Sequence, residues 1–213
     1  MDATIALALF KKTFDKSFIN ELEQDYKILY NEYLNLGDSS FNRIYFNPKN
    51  IGNYVNRNSD ILKINQYFNG LLFRPNIEIL FHILSNYEFW KNKIFIDNGS
   101  GINCFLSIFL AKIGIKCYNY DNFSQIGKPI ISDYYKKYNI EYPCDNISIE
   151  NLLKNNNVNC LLCSGIWVSN PTIVKYDFDY MMLDSHYINN RNSMIKYKLN
   201  KYKTVGNLVF ANI

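Results

Sequence analysis

Lys93-Ile94-Phe95-Ile96-Asp97-Asn98-Gly99-Ser100-Gly101 sets a short apolar run directly before an acid and a turn of small residues. A helix-like segment follows, Phe105 to Gly114, and then a second apolar run, Ile115 to Tyr120, that ends on Asp121. Strand, glycine turn, helix, strand, acid is the order in which an α/β sheet builds a nucleoside pocket. The glycines let the backbone pass close to a ligand, and the second acid can accept hydrogen bonds from a ribose diol. Asp97, Gly99, Ser100, Gly101 and Asp121 are therefore the candidate binding residues. Downstream, Asp184 and His186 end another apolar run. A carboxylate and an imidazole at a strand's carboxyl end could deprotonate a hydroxyl or an amine, so these two are the candidate catalytic pair. Trp167 and Tyr187 also follow strand-like runs and are candidate substrate contacts, Trp167 by stacking on a flat molecule. No metal site is expected. Asp184 and His186 are too few ligands, and Cys160-Leu161-Leu162-Cys163 lacks a second pair.

These residues need elements to hold them. Before residue 90 the periodicity is helical. Phe18, Leu22, Tyr26, Leu29 and Tyr33 form a stripe that predicts an amphipathic helix over about Asp15 to Leu36. Gly37-Asp38-Ser39-Ser40 closes it, and further helices are expected at Ser59 to Phe68 and, started by Pro75-Asn76, at Ile77 to Tyr87. Residues 1–89 thus read as an N-terminal helical cap. From Ile94 onward strands alternate with helices, the signature of a parallel sheet covered by helices. Strands are expected at Ile94 to Asp97, Ile115 to Asp121, Val158 to Trp167, Tyr176 to Asp184 and Asn207 to Ile213. Helices are expected at Pro129 to Tyr138, Ile149 to Lys154 and Asn190 to Lys201. The run Tyr134-Tyr135-Lys136-Lys137-Tyr138 mixes rings and bases as RNA-binding surfaces do, but on a helix it reads as a solvated face. His82 falls on a helix and reads as packed or surface.

The bulk composition narrows the classes. The 213 residues, 48% hydrophobic and 16% aromatic, are enough for one domain with an appendage and a sizeable core. A net charge of +4 is only mildly basic and its bases are scattered, so nucleic acid is a possible partner and not the favoured one. The five cysteines are an odd number in mostly apolar surroundings, as expected of free thiols in a reducing, cytoplasmic compartment. Ala3 to Phe10 runs into Lys11-Lys12 without a preceding charged region, so no signal peptide is expected. No apolar run approaches the ~20 residues that span a bilayer, and no membrane partner is expected.

Ile94 to Gly101, with Leu110-Ala111-Lys112-Ile113-Gly114 and Tyr118-Asn119-Tyr120-Asp121, resembles the first two strands of class I S-adenosylmethionine-dependent methyltransferases. The resemblance implies an α/β, Rossmann-like, mostly parallel sheet over residues 90–213 and S-adenosyl-L-methionine as cofactor. It implies that Gly99 and Gly101, with Ser100 between them, form the floor under the ligand. Asp97 would lie near the methionine amino group, Asp121 would hold the ribose hydroxyls, and Asn122 and Phe123 would flank the adenine. Phe178 to Tyr187 is similar to the family's fourth strand, and Lys203 to Phe210 to its turn into the fifth. Two departures stand out. The family's third glycine is replaced by Asn103, and the chain is read as stopping after the fifth strand, where the family continues through a closing antiparallel pair. A sheet shortened at its C-terminus would expose an edge for the cap or a second copy of the chain to cover. A dinucleotide turn is a poorer match, because its third glycine would fall on Cys104. Ser169-Asn170-Pro171-Thr172 is only a partial match to the signature of amino-methylating nucleic-acid enzymes. The expected activity is methyl transfer to an oxygen or nitrogen of a small-molecule acceptor, to which the aromatic residues of the cap, Tyr45, Phe46, Tyr54, Tyr67, Phe68 and Phe73, would offer apolar surface. The alternatives are a non-catalytic methyltransferase-like partner subunit and a nucleic-acid methyltransferase.

Overall fold

The structure, a computed structural model, describes residues 2–35, 59–72, 74–101, 103–120, 128–141, 149–163, 178–184, 201–205 and 208–212. The first helix, α1 (Ala3–Thr13), lies where the sequence suggested only an apolar start. Local chemistry supports it: Asp2 accepts the Thr4 N–H at 2.9 Å as an N-cap, and Lys11 and Lys12 sit in the last turn, where the helix dipole favours cations. Helix α2 (Lys16–Asn35) follows, its first turn held by the Asp15 carboxylate, which accepts the Phe18 N–H at 2.8 Å. Its fully buried stripe is Ile19, Leu22, Tyr26 and Leu29. The expected stripe is thus rotated by one residue at its start, with Phe18 at the margin of the core. Helices α3 (Ser59–Tyr67), α4 (Arg74–Ser85) and the single turn α5 (Tyr87–Trp90) complete the N-terminal part.

The sheet begins with β1 (Phe95–Asn98), followed by α6 (Phe105–Lys112), β2 (Cys117–Tyr120), α7 (Lys128–Lys137), α8 (Ile149–Asn156), β3 (Cys160–Cys163) and β4 (Tyr180–Asp184). Two further strands, β5 (Lys201–Val205) and β6 (Leu208–Asn212), follow. The order across the sheet is β2-β1-β3-β4-β6-β5. The first four are mutually parallel, and β6 lies antiparallel to both β4 and β5. This is an α/β architecture compatible with a Rossmann-like fold.

Two expectations are corrected here. The sheet is not shortened at its C-terminus: β5 and β6 form a closing antiparallel pair, and β6 covers the edge of β4 along its whole length. Lys201, expected to end a helix, instead begins β5. Only two residues, Gly206 and Asn207, separate the strands, a Gly-Asn spacing that is itself a hairpin signal. Among the described residues, the outer strands are β2 and β5.

Register explains where the core sits. Phe95, Cys117, Cys160 and Tyr180 align across four strands and share one face, because neighbouring strands point paired residues the same way. That face, with Leu162 and Met182, joins the large apolar cluster that also holds α1 to α4 and α6. Ile96, Leu161, Met181 and Leu183 are buried on the opposite face. Phe109 of α6, fully buried, is met edge-on by Phe14 at 4.9 Å, Phe68 at 5.1 Å and Phe18 at 5.8 Å. Each such pair adds about 0.5–1.5 kcal/mol beyond its buried area. The helices of residues 1–89 and the sheet therefore share one continuous core. Phe68, expected as ligand-facing surface of the cap, is instead one of its packed centres. No helix among the described residues is long and apolar enough to cross a membrane.

Candidate functional site

Strand β1 is the place where the sheet reverses direction. The chain leaves β1 for β2 on one side and later returns to β3 on the other. Loops at the carboxyl ends of strands flanking such a switch point diverge and leave a crevice, where ligands of open α/β sheets bind. The turn Gly99-Ser100-Gly101 leaves β1 at that end. Gly99 and Gly101 have φ of +81° and +65°, the left-handed region that glycine enters without the cost a side chain would add. The Gly99 N–H donates to the Tyr120 carbonyl at 2.9 Å, and the Ser100 N–H to the same oxygen at 3.4 Å. Among the described residues, a Cβ added at Gly99 would meet nothing within 4 Å, so they leave this side of the turn open.

Asp97 is inside β1, within the strand expected over Ile94 to Asp97. It is 2% exposed and paired in register with Asn119 and Leu162, on the sheet face that packs against α6. A buried polar row continues from it. The Ser107 hydroxyl donates to Asn119 Oδ1 and lies 3.3 Å from Cys117 Sγ, while Asn119 Nδ2 donates to the Glu141 carbonyl at 2.8 Å. Burial pushes the Cys117 thiol well above its ordinary range, and the Asp97 charge pushes it further. Cys117 is therefore a neutral thiol, inert as a nucleophile.

Ser100 is buried, its hydroxyl directed to the Gly101 carbonyl at 3.4 Å. Cys104 precedes α6 with φ +47°, the left-handed conformation that a glycine would take there. Its fully buried thiol donates to the Gly101 carbonyl at 3.2 Å and lies 3.7 Å from both Ser100 Oγ and the Tyr135 hydroxyl. The positive end of the α6 dipole thus adjoins the turn, which favours electron-rich ligand atoms.

Asn103, standing where the family's third glycine would be, does work that the sequence did not suggest. Its carbonyl accepts the Tyr134 hydroxyl of α7 at 3.0 Å, and its side chain is hydrogen-bonded to the Tyr26 hydroxyl of α2. Burial raises both tyrosines well above the usual tyrosine range, so both stay neutral. The aromatic run of α7 is therefore not a solvated face: Tyr134 and Tyr135 are buried, and Tyr138 packs on Phe18 at 6.2 Å and donates to Asp25 at 2.5 Å. Lys137 is paired with Glu21 at 2.8 Å and with Asp25. The signal available in the sequence was Asn103 itself, a hydrogen-bonding side chain at a position otherwise reserved for none.

The structure brings Asp97, Gly99, Ser100 and Gly101 together at the end of β1, one residue in sequence from Asp121 through Tyr120. Asp184 is the last residue of β4, paired in register with Leu208 of β6, at the same carboxyl end of the parallel strands. Asp121, Asn122, Phe123, Trp167, His186 and Tyr187 lie outside the described residues. His82 rests against Trp90, ring centroids 5.8 Å apart. No group of three or more His, Cys, Asp or Glu able to hold a metal occurs among the described residues. No protein-family model matches the chain, and none of the curated proteins matches it.

Proposed function

We propose that the chain is an S-adenosylmethionine-dependent methyltransferase of the class I type, acting on an oxygen or nitrogen of a small molecule. One observation carries the reading. A glycine turn with two left-handed residues leaves β1 at the sheet's switch point and is hydrogen-bonded to the residue before Asp121. The closing antiparallel pair β5–β6 supports it too, since the resemblance called for such a pair.

The described residues fit the cofactor, because they leave room where a Cβ on Gly99 would stand. Gly99, Ser100 and Gly101 would supply the floor, Asp97 a negative charge beneath it, Asp121 the ribose contact, and Asn122 and Phe123 the adenine flank. When bound, the cofactor supplies a methyl group activated by a sulfonium. The protein's own contribution is then alignment and exclusion of water, worth several powers of ten without an elaborate catalytic motif. Asp184 and His186 would hold the acceptor's proton, and Trp167 and Tyr187 would orient the acceptor.

Calorimetry with S-adenosylmethionine and S-adenosylhomocysteine tests this reading directly. Saturable binding of both with one site per chain is expected, and no binding of either overturns it. A non-catalytic partner subunit is the second reading. It is favoured by the inward direction of Ser100 and Asn103, whose polar groups engage the protein. Binding without turnover across amine and hydroxyl acceptors would select it.

A further inference from the structure

We infer that Asn103 is a positioning residue that clamps the glycine turn to helices α2 and α7, so that a ligand on the turn and the docking of α2 stabilise each other. Asn103 reaches both helices from one place, by its carbonyl to Tyr134 and by its side chain to Tyr26. The same side chain lies against the turn: its Oδ1 is 3.5 Å from the position of a Cβ on Gly101. The helices converge on that spot by packing as well. The Tyr26 ring meets Phe105, the first residue of α6, edge-on at 5.0 Å, and Tyr134 lies beside Tyr135, whose hydroxyl approaches Cys104. Tyr26 is 3% exposed and Tyr134 8%, so both side chains are held in the core while their helices stay docked, and losing a buried partner is costly. Moving the turn therefore means unseating α2, α7 or both.

Linkage then works in both directions: the factor by which docked α2 favours a ligand on the turn is the factor by which that ligand favours the docking of α2. A glycine at position 103 would keep the carbonyl contact and lose the α2 contact. Asn103 thus brings residues of the N-terminal helices into the affinity of the site at the turn.

The choice of ligand rests on the methyltransferase reading; the clamp itself does not. The test uses the full chain with Tyr26→Phe, Asn103→Ala and the double variant, Tyr26→Phe keeping the packed ring. Two quantities are measured: S-adenosylhomocysteine affinity by calorimetry, and hydrogen exchange of residues 16–35 and 103–112 without ligand. Each single variant should weaken binding about fivefold, and the double no more than either single, because both remove one contact. Exchange should quicken in both segments in all three variants. Additive losses in affinity, or unchanged affinity, overturn the clamp, as does quickening confined to residues 16–35. If the unaltered protein binds no S-adenosylhomocysteine, the methyltransferase reading fails, and the exchange pattern alone decides the clamp.

Discussion

The Gly99 amide donates to the Tyr120 carbonyl at 2.9 Å, which ties the turn after β1 to the last residue of β2. Two segments 21 residues apart in sequence are thereby fixed side by side, with Asp121 next in line. The left-handed backbone of Gly99 then turns the chain so that the Ser100 N–H reaches the same oxygen at 3.4 Å.

Gly99→Ala should separate backbone cost from ligand cost. The added Cβ meets no atom of the described residues, so among them only the φ of +81° opposes it, at about 1–2 kcal/mol of stability. If the open space above the turn holds ligand, the loss of S-adenosylhomocysteine affinity will be larger than tenfold. Urea unfolding and calorimetry on the same variant measure the two effects.

Asp121→Ala should weaken S-adenosylhomocysteine binding by about 1–3 kcal/mol, the range for losing a charge-assisted hydrogen bond. Stability should change little. Unaltered affinity in calorimetry would remove Asp121 from the ribose role and leave the turn as the remaining support.

Phe109→Ala should destabilise the fold by about 3–5 kcal/mol, because the ring is fully buried and joins α6 to Phe14, Phe18 and Phe68. Thermal unfolding should remain a single transition and move to lower temperature. Two separate transitions would show that residues 1–89 do not share a core with the sheet.

Alkaline pH should destabilise the protein. Burial pushes the Cys160 thiol from an ordinary value of 9.0 up to about 12, opposed by Lys93 and reinforced by Asp179. The unfolded chain gives up this proton near pH 9 while the folded chain keeps it. The stabilisation is therefore intact below about pH 9 and is lost progressively toward pH 12. Cys117 and Tyr134 shift the same way and steepen the loss. Comparing urea unfolding at pH 8 and pH 10, Cys160→Ala should lose about 1 kcal/mol less than the unaltered protein.

Much of this molecule was legible from short-range pattern. The stripe of α2, the Pro75 start of α4 and the four parallel strands follow from spacings within a dozen residues, because helix and strand periods are local properties of the backbone. The glycine turn was equally plain, since two glycines after an apolar strand and an acid leave few other conformations so economical. Helix α1 is not legible in the sequence because its short run, Ala3 to Thr13, carries a weak stripe, and Ala6 and Phe10 become core only once α3 and α4 lie against them.

By itself, then, the sequence determined an α/β chain with a glycine turn ending its first strand. Only the tertiary structure decided that β6 would insert between β4 and β5, that Phe68 and Tyr134 would be core, and that Asn103 would bind Tyr26. The physical reason is separation along the chain. Backbone conformation is set by neighbours in sequence, whereas the partner of a buried hydroxyl or an edge strand is chosen by whichever distant segment closes the core around it.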